Sequence, residues 1–275
     1  MVKRTFLYVI LFVLTVLSTI WVGGRLYSLA IMTILLSHEM GHYLTSRRYG
    51  VPSSLPYFIP FPYFPFGTFG AVIKMRGVIF DKRSLFDIGA SGPLAGFILS
   101  FVCACIGIKL SVAVKMSAAA SAGLIELGDP LLFKALEWVI VGNLPSNYEL
   151  VLHPVAYAAW VGLFVTALNL LPIGQLDGGH IAYAVLGRKS IWVYRVLLPL
   201  LVVLAIFYSA GWLVLTILLS VFGIHHPQPV DSVTPLDKRR RVLAVVMLFI
   251  FIFSFVPAPF PGGSLIELFG KLFGR

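Results

Sequence analysis

Long apolar runs separated by short polar interruptions dominate this chain, and the lengths of the runs predict its elements. A helix needs about 17–25 apolar residues to cross the hydrocarbon core of a bilayer. On that basis spans are predicted near 5–22, 27–46, 88–109 and 153–171. The block 191–223 is long enough for two helices, broken near Tyr208–Gly211, and a last span near 242–256 stops ahead of "PAPFPGG". The first run, Phe6 to Val22, is longer than a usual signal-peptide core and no small-x-small cleavage pattern follows it, so it reads as an uncleaved span.

Two stretches between the runs behave differently. Residues 51–87 carry prolines at 52, 56, 60, 62 and 65, which forbid a helix, and "GTFGAVIKMRG" reads as a short strand or hairpin. Residues 110–152 are weakly amphipathic around "LLFKALEWVIVG", a piece too short to span that is expected to lie at the membrane interface. The predicted fold class is an all-α polytopic membrane protein of about six to seven transmembrane helices. A small cytosolic β-hairpin or strand segment sits between the second and third spans.

Composition agrees with this pattern. The 275 residues are 59% hydrophobic and only 12% charged, against about 25% charged in soluble domains. The net charge of +10 raises the question of nucleic acid, but the placement of the charges answers it. With the amino-terminus in the cytosol and each run crossing once, one side holds Lys3, Arg4, Arg47, Arg48, Lys74, Arg76, Lys82, Arg83, Arg188, Lys189, Arg195 and Lys238 through Arg241. The other holds Arg25, Lys109, Lys115, Lys134, Lys271 and Arg275, so fifteen basic residues face six. Such asymmetry is an orientation signal and an attraction to anionic lipid, not a nucleic-acid footprint. Cys103 and Cys105, the only cysteines, lie in an apolar run and read as buried thiols.

Candidate chemistry enters with "ILLSHEMGHYLTSRRYG", residues 34–50. Ionisable side chains inside a bilayer are costly and are rarely present without a function. His38 and His42 stand four apart, so on a helix they project from one face and can share one zinc ion. Glu39, between them, is placed to act as general base toward water activated by the metal, the H-E-x-x-H arrangement. An alternative is three polar residues hydrogen-bonded near a helix end, with Glu39 serving as an ion-pair partner for Arg47 or Arg48.

A catalytic zinc takes three protein ligands and keeps one position open. Asp177, in "TALNLLPIGQLDGGH" (166–180), is the candidate third ligand, on backbone broken by Pro172 and Gly174. Its alternative role is to cap the helix that follows. Asp81 and Asp87, in the loop before the third span, and Asp231 and Asp237, in a basic loop, suit the role less well.

"HEMGH", "GTFGAV", "GASGPLAGF" and "LNLLPIGQLDGGH" together resemble the site-2 protease family of intramembrane zinc metalloproteases, over about residues 27–190. The wording is especially similar to the cyanobacterial and plastid branch. The resemblance implies His38, His42 and Asp177 as ligands of one Zn²⁺, Glu39 as the base, and Asn169 as a group that helps hold the substrate carbonyl or its oxyanion. A structural interhelical hydrogen bond is the other reading of Asn169, and Pro172 is the family's helix-breaking proline.

His180 could face the site. His153 starts the fourth span on the far side, and His225 and His226 could serve gating or metal binding. Gly89, Gly92 and Gly96 are expected to allow close helix packing.

The expected function is therefore an endopeptidase that cuts peptide bonds in or near transmembrane segments. The alternatives are a non-proteolytic metal-binding scaffold or chaperone, and a cation transporter. Residues 1–275 read as one membrane domain, with a catalytic core of about 27–190 and C-terminal helices of about 191–256. The implied partners are a transmembrane substrate and the bilayer, with no nucleic acid. A prokaryotic plasma membrane is expected because no transit peptide precedes the first span, with the amino-terminus and the site toward the cytosol.

Overall fold

A computed structural model of the chain describes residues 2–63, 65–116, 126–222, 229–261 and 263–274. It is mostly helical. Among the described residues, three stretches are long and apolar enough to cross a membrane: Thr5–Arg48, Lys82–Leu110 and Asp177–Phe207.

Helix α1 (Val2–Arg48) is interrupted at Gly24, whose φ of 80° and ψ of 178° lie in a region open essentially to glycine alone. Beyond this point the chain doubles back. Thr19 Oγ1 lies 2.7 Å from Ser28 Oγ, whereas nine residues of straight helix would separate them by about 13 Å. The two arms of α1 correspond to the first two predicted runs. The second arm packs against α2 (Lys82–Leu110) and α4 (Pro154–Asn169), with α3 (Leu131–Ile140) alongside. Their shared core includes Tyr27, Ile31, Leu35, Ala104, Ile108 and Trp160.

Past α4 the chain forms α5 (Asp177–Leu186), a 3-10 turn (Gly187–Lys189), α6 (Ser190–Phe207), α7 (Gly211–Phe222), α8 (Lys238–Ser254) and α9 (Leu265–Leu272). The break between α6 and α7 falls where the sequence predicts it. A second core joins the start of α2 to α5 and α8 through Leu85, Phe86, Ile181, Ala184, Met247 and Ile250. Many large apolar side chains remain exposed, such as Phe6, Leu29, Val196 and Phe249. Soluble monomers rarely show apolar surface on this scale.

Four features depart from the sequence reading. First, α2 begins at Lys82, so Asp87 lies within a helix; Asp81 caps that helix through Ser84 in a reciprocal capping box. Second, a strand pair, β3 (Val112–Lys115) with β4 (Tyr148–Val151), was not expected in the 110–152 stretch. Third, α9 follows "PAPFPGG", started by a capping box of Ser264 and Glu267. Fourth, the hairpin of β1 (Tyr57–Pro60) and β2 (Thr68–Val72) is pinned against α1 and α4 along its length. Near its open end Tyr8 donates to Tyr57 Oη at 2.9 Å, while at its tip Ser18 donates to Gly67 O at 2.6 Å. Those ten residues of helix place the tip about 15 Å further along α1. There Tyr27 and Tyr157 donate to the adjacent carbonyls of Phe66 and Pro65, both at 2.7 Å. Hydroxyls from both arms of α1 and from α4 thus satisfy the carbonyls of the turn. The two cysteines are half-buried in α2 and free.

Candidate metal centre

The second arm of α1 carries His38, Glu39 and His42, all buried. Two features of α2 make room for the imidazoles. A Cβ on Gly92 would fall 2.0 Å from His42 Nε2, and one on Gly96 would fall 3.0 Å from His38 Nδ1. The glycines expected only to ease helix packing therefore shape the site; the signal was their three- and four-residue spacing on one face of a helix opposite the histidines. His42 Nδ1 lies 2.7 Å from Ile88 O. That carbonyl can only accept, so Nδ1 carries the proton and Nε2 is left with a lone pair for a ligand.

Asp177 reaches the same point from the other side. Beyond Asn169 the backbone turns through Pro172 and Gly174, and α5 starts afresh at Asp177. "DGG" lets this first turn tuck under the preceding loop: a Cβ on Gly178 would strike Leu170 O at 2.0 Å, and one on Gly179 would strike Gly174 O at 2.3 Å. The helix cap is Leu176, with no side-chain cap bond, so Asp177 does not play the capping role. Its Oδ2 lies 3.3 Å from both His38 Nε2 and His42 Nε2, which are themselves 3.2 Å apart. Asp177 also sits in the first turn of α5, where the helix dipole favours negative charge.

Those three distances test the metal. Ligands at about 2.0–2.1 Å around a tetrahedral centre stand about 3.3–3.4 Å from one another. Two imidazole nitrogens and a carboxylate oxygen with these mutual spacings fit such a centre. Among the described residues, this is the group of His, Cys, Asp or Glu that could hold a metal ion.

The remaining candidates fall around this cluster. Asn169, the last residue of α4, places Nδ2 3.2 Å from His38 Nε2. Glu39 enters none of the ion pairs found among the described residues; the backbone of Ile73, just past β2, lies near its carboxylate. His180, one turn into α5, is buried against Gly89. His153 caps the far end of α4 by accepting from Val155 N, remote from the cluster. His225 and His226 lie outside the described residues.

One contributor had no sequence signal. Arg240, at the start of α8, donates to Asp87 from Nε at 2.8 Å and from Nη2 at 2.6 Å. Asp87 also accepts from Tyr49, and Arg240 also pairs with Asp237. This clamp ties the ends of α1, α2 and α8 together one residue before Ile88.

Fold and site together define a helical membrane protein built around a buried cluster of two histidines and one carboxylate. Residues 26–207 match peptidase family M50, and the chain belongs to that family, the site-2 proteases that its motifs resemble. Relatives include "Probable zinc metalloprotease EGY1, chloroplastic" of Oryza sativa subsp. japonica, 30% identical over 82% of this chain and 39% of its own length. "Probable zinc metalloprotease EGY2, chloroplastic" of Oryza sativa subsp. indica is 32% identical over 87% of this chain and 43% of its own. The protein of the same name from Arabidopsis thaliana is 28% identical over 82% and 40%. The chain thus spans about two-fifths of the length of these relatives.

The relatives' chloroplastic names overturn the expectation of a prokaryotic plasma membrane. That expectation leaned on the missing transit peptide, and a chain matching two-fifths of its relatives carries no information about what precedes it.

Proposed function

We propose that this chain is an intramembrane zinc endopeptidase that hydrolyses peptide bonds in or near the transmembrane segments of other membrane proteins. The observation that carries this reading is the mutual 3.2–3.3 Å spacing of His38 Nε2, His42 Nε2 and Asp177 Oδ2. His38, His42 and Asp177 would hold one Zn²⁺. Bound there, zinc polarises a carbonyl and brings the pKa of water down toward about 7.

The chain's own residues supply the rest. Glu39, buried beside the cluster, takes the proton of the attacking water and returns it to the leaving amine. Asn169 offers an amide N–H to the substrate carbonyl as charge builds on its oxygen. Ile88 O holds the His42 ring in the tautomer and orientation that leave Nε2 free.

A peptide bond in a transmembrane helix is hydrogen-bonded internally and shielded from water, so it must be unwound before it can be cut. The β1–β2 hairpin would receive the unwound segment by strand addition. Seven crossings, the upper end of the expected six to seven, would then comprise the two arms of α1 together with α2, α4, α6, α7 and α8. All 275 residues would act as one domain, the α1–α5 core holding the chemistry and the later helices enclosing it.

Co-expression with a panel of tagged membrane proteins tests the activity: a fragment seen with wild type and absent with Glu39→Gln is expected, and no such fragment would refute it. Replacing Val72 and Ile73 with proline tests the strand and is expected to abolish cleavage with the metal still bound.

A further inference from the structure

We propose that Lys74 and Arg76 read the charge of the substrate just beyond the cut, and that this protein selects transmembrane segments with acidic residues at that position. The inference rests on the strand-addition reading above and assigns it a substrate class.

The ladder geometry identifies the receiving edge. Past β2 the chain stays paired with residues 52–54: Ser54 N donates to Lys74 O at 3.0 Å and Arg76 N to Pro52 O at 2.8 Å. Ser53 and Met75 are therefore a non-hydrogen-bonded antiparallel pair. In such a ladder the N–H and C=O of Ile73 and Met75 point to the opposite edge. The Ile73 backbone lies near the Glu39 carboxylate. The open edge thus faces the site at Ile73 and continues away from it at Met75.

Side chains alternate along an extended segment, and Val72, Lys74 and Arg76 share one exposed face. Neither Lys74 nor Arg76 takes part in an ion pair among the described residues. A strand laid on this edge would bring its side chains to within about 4.5–5.5 Å of theirs. Since Ile73 marks the catalytic position, the substrate residues opposite Lys74 and Arg76 lie on the side of the cut nearer the basic face. Transmembrane segments ordinarily carry lysine and arginine at such a face. Two unpaired cations repel that majority and accept the acidic minority, so discrimination comes from repulsion as much as attraction.

The test uses a tagged single-span peptide with Asp-x-Asp, Asn-x-Asn or Lys-x-Lys after the apolar run, in phosphatidylcholine nanodiscs so that lipid charge does not contribute. Wild type should cut the acidic flank about fivefold faster per charge pair than the neutral one, and the basic flank slowest, with the difference mainly in KM. Lys74→Glu with Arg76→Glu should invert the order, and Lys74→Gln with Arg76→Gln should abolish it. An inversion separates charge reading from a structural role.

Equal cutting of all three flanks by wild type, with the proline variants at 72 and 73 inactive, would overturn the charge inference and leave strand addition standing. Equal cutting with those proline variants active would remove both. A flank preference seen only after anionic lipid is added would assign the two cations to headgroups and overturn the proposal. No cutting of any peptide would refute the proposed function and this inference with it.

Discussion

Arg240 and Asp87 are joined by two parallel hydrogen bonds, 2.8 and 2.6 Å long, that cross from α8 to α2. The next residue, Ile88, supplies the carbonyl that orients His42. A contact made by α8 thereby bears on the aim of an imidazole on α1. Arg240→Ala is expected to weaken metal binding by about 10–100-fold, the usual cost of losing an outer partner. Arg240→Lys, which cannot form the fork, should fall between. Chelator competition followed by metal analysis checks this, and unchanged affinity in both variants would refute it.

Gly92 leads to a sharper expectation. A methyl group there would occupy the place of His42 Nε2. Gly92→Ala should lose the metal with little change in helix content, as read by circular dichroism beside metal stoichiometry. Gly50→Ala, where an added Cβ meets nothing, probes backbone strain alone and should keep the metal.

Glu39 and Asp177 should separate cleanly. Asp177→Ala removes a carboxylate oxygen 3.3 Å from both imidazoles, so metal and activity should be lost together. Glu39→Gln should keep the metal and lose about 10²–10⁴-fold in rate, the range for a general base. Chelation of wild type should abolish cleavage and added zinc should restore it, measured on one tagged substrate.

Gly24 tests the fold rather than the chemistry. Its φ of 80° and ψ of 178° suit glycine alone. Gly24→Ala should destabilise the protein by about 1–3 kcal/mol, measured by thermal unfolding in detergent micelles. No change would mean that the turn between the two arms adapts.

The sequence exposed what periodicity and local chemistry can carry. Runs of apolar residues located α1, α2, α4, α6 and α8, and the pairing of "HEMGH" with "LDGGH" pointed to side chains that the fold brings within 3.3 Å. What stayed hidden depends on partners far along the chain. Arg240 looked like one more charge in a basic loop, because its meaning lies in Asp87, 153 residues away. The anchoring of the β1–β2 hairpin was equally invisible: its prolines excluded a helix, but the turn is held by Ser18, Tyr27 and Tyr157, far from it in the chain. The β3–β4 pair was missed because each strand has four residues, too few to show a period.

The pinned tip of that hairpin has a mechanical meaning. A turn held by hydroxyls from both arms of α1 and from α4 is a fixed ruler, not a swinging door; on the strand-addition reading, incoming chains would be measured where the ruler lies. Admission would then fall to whichever helices part to uncover it, and the place of the cut would be set by distance from the anchored end rather than by the identity of the residues being cut.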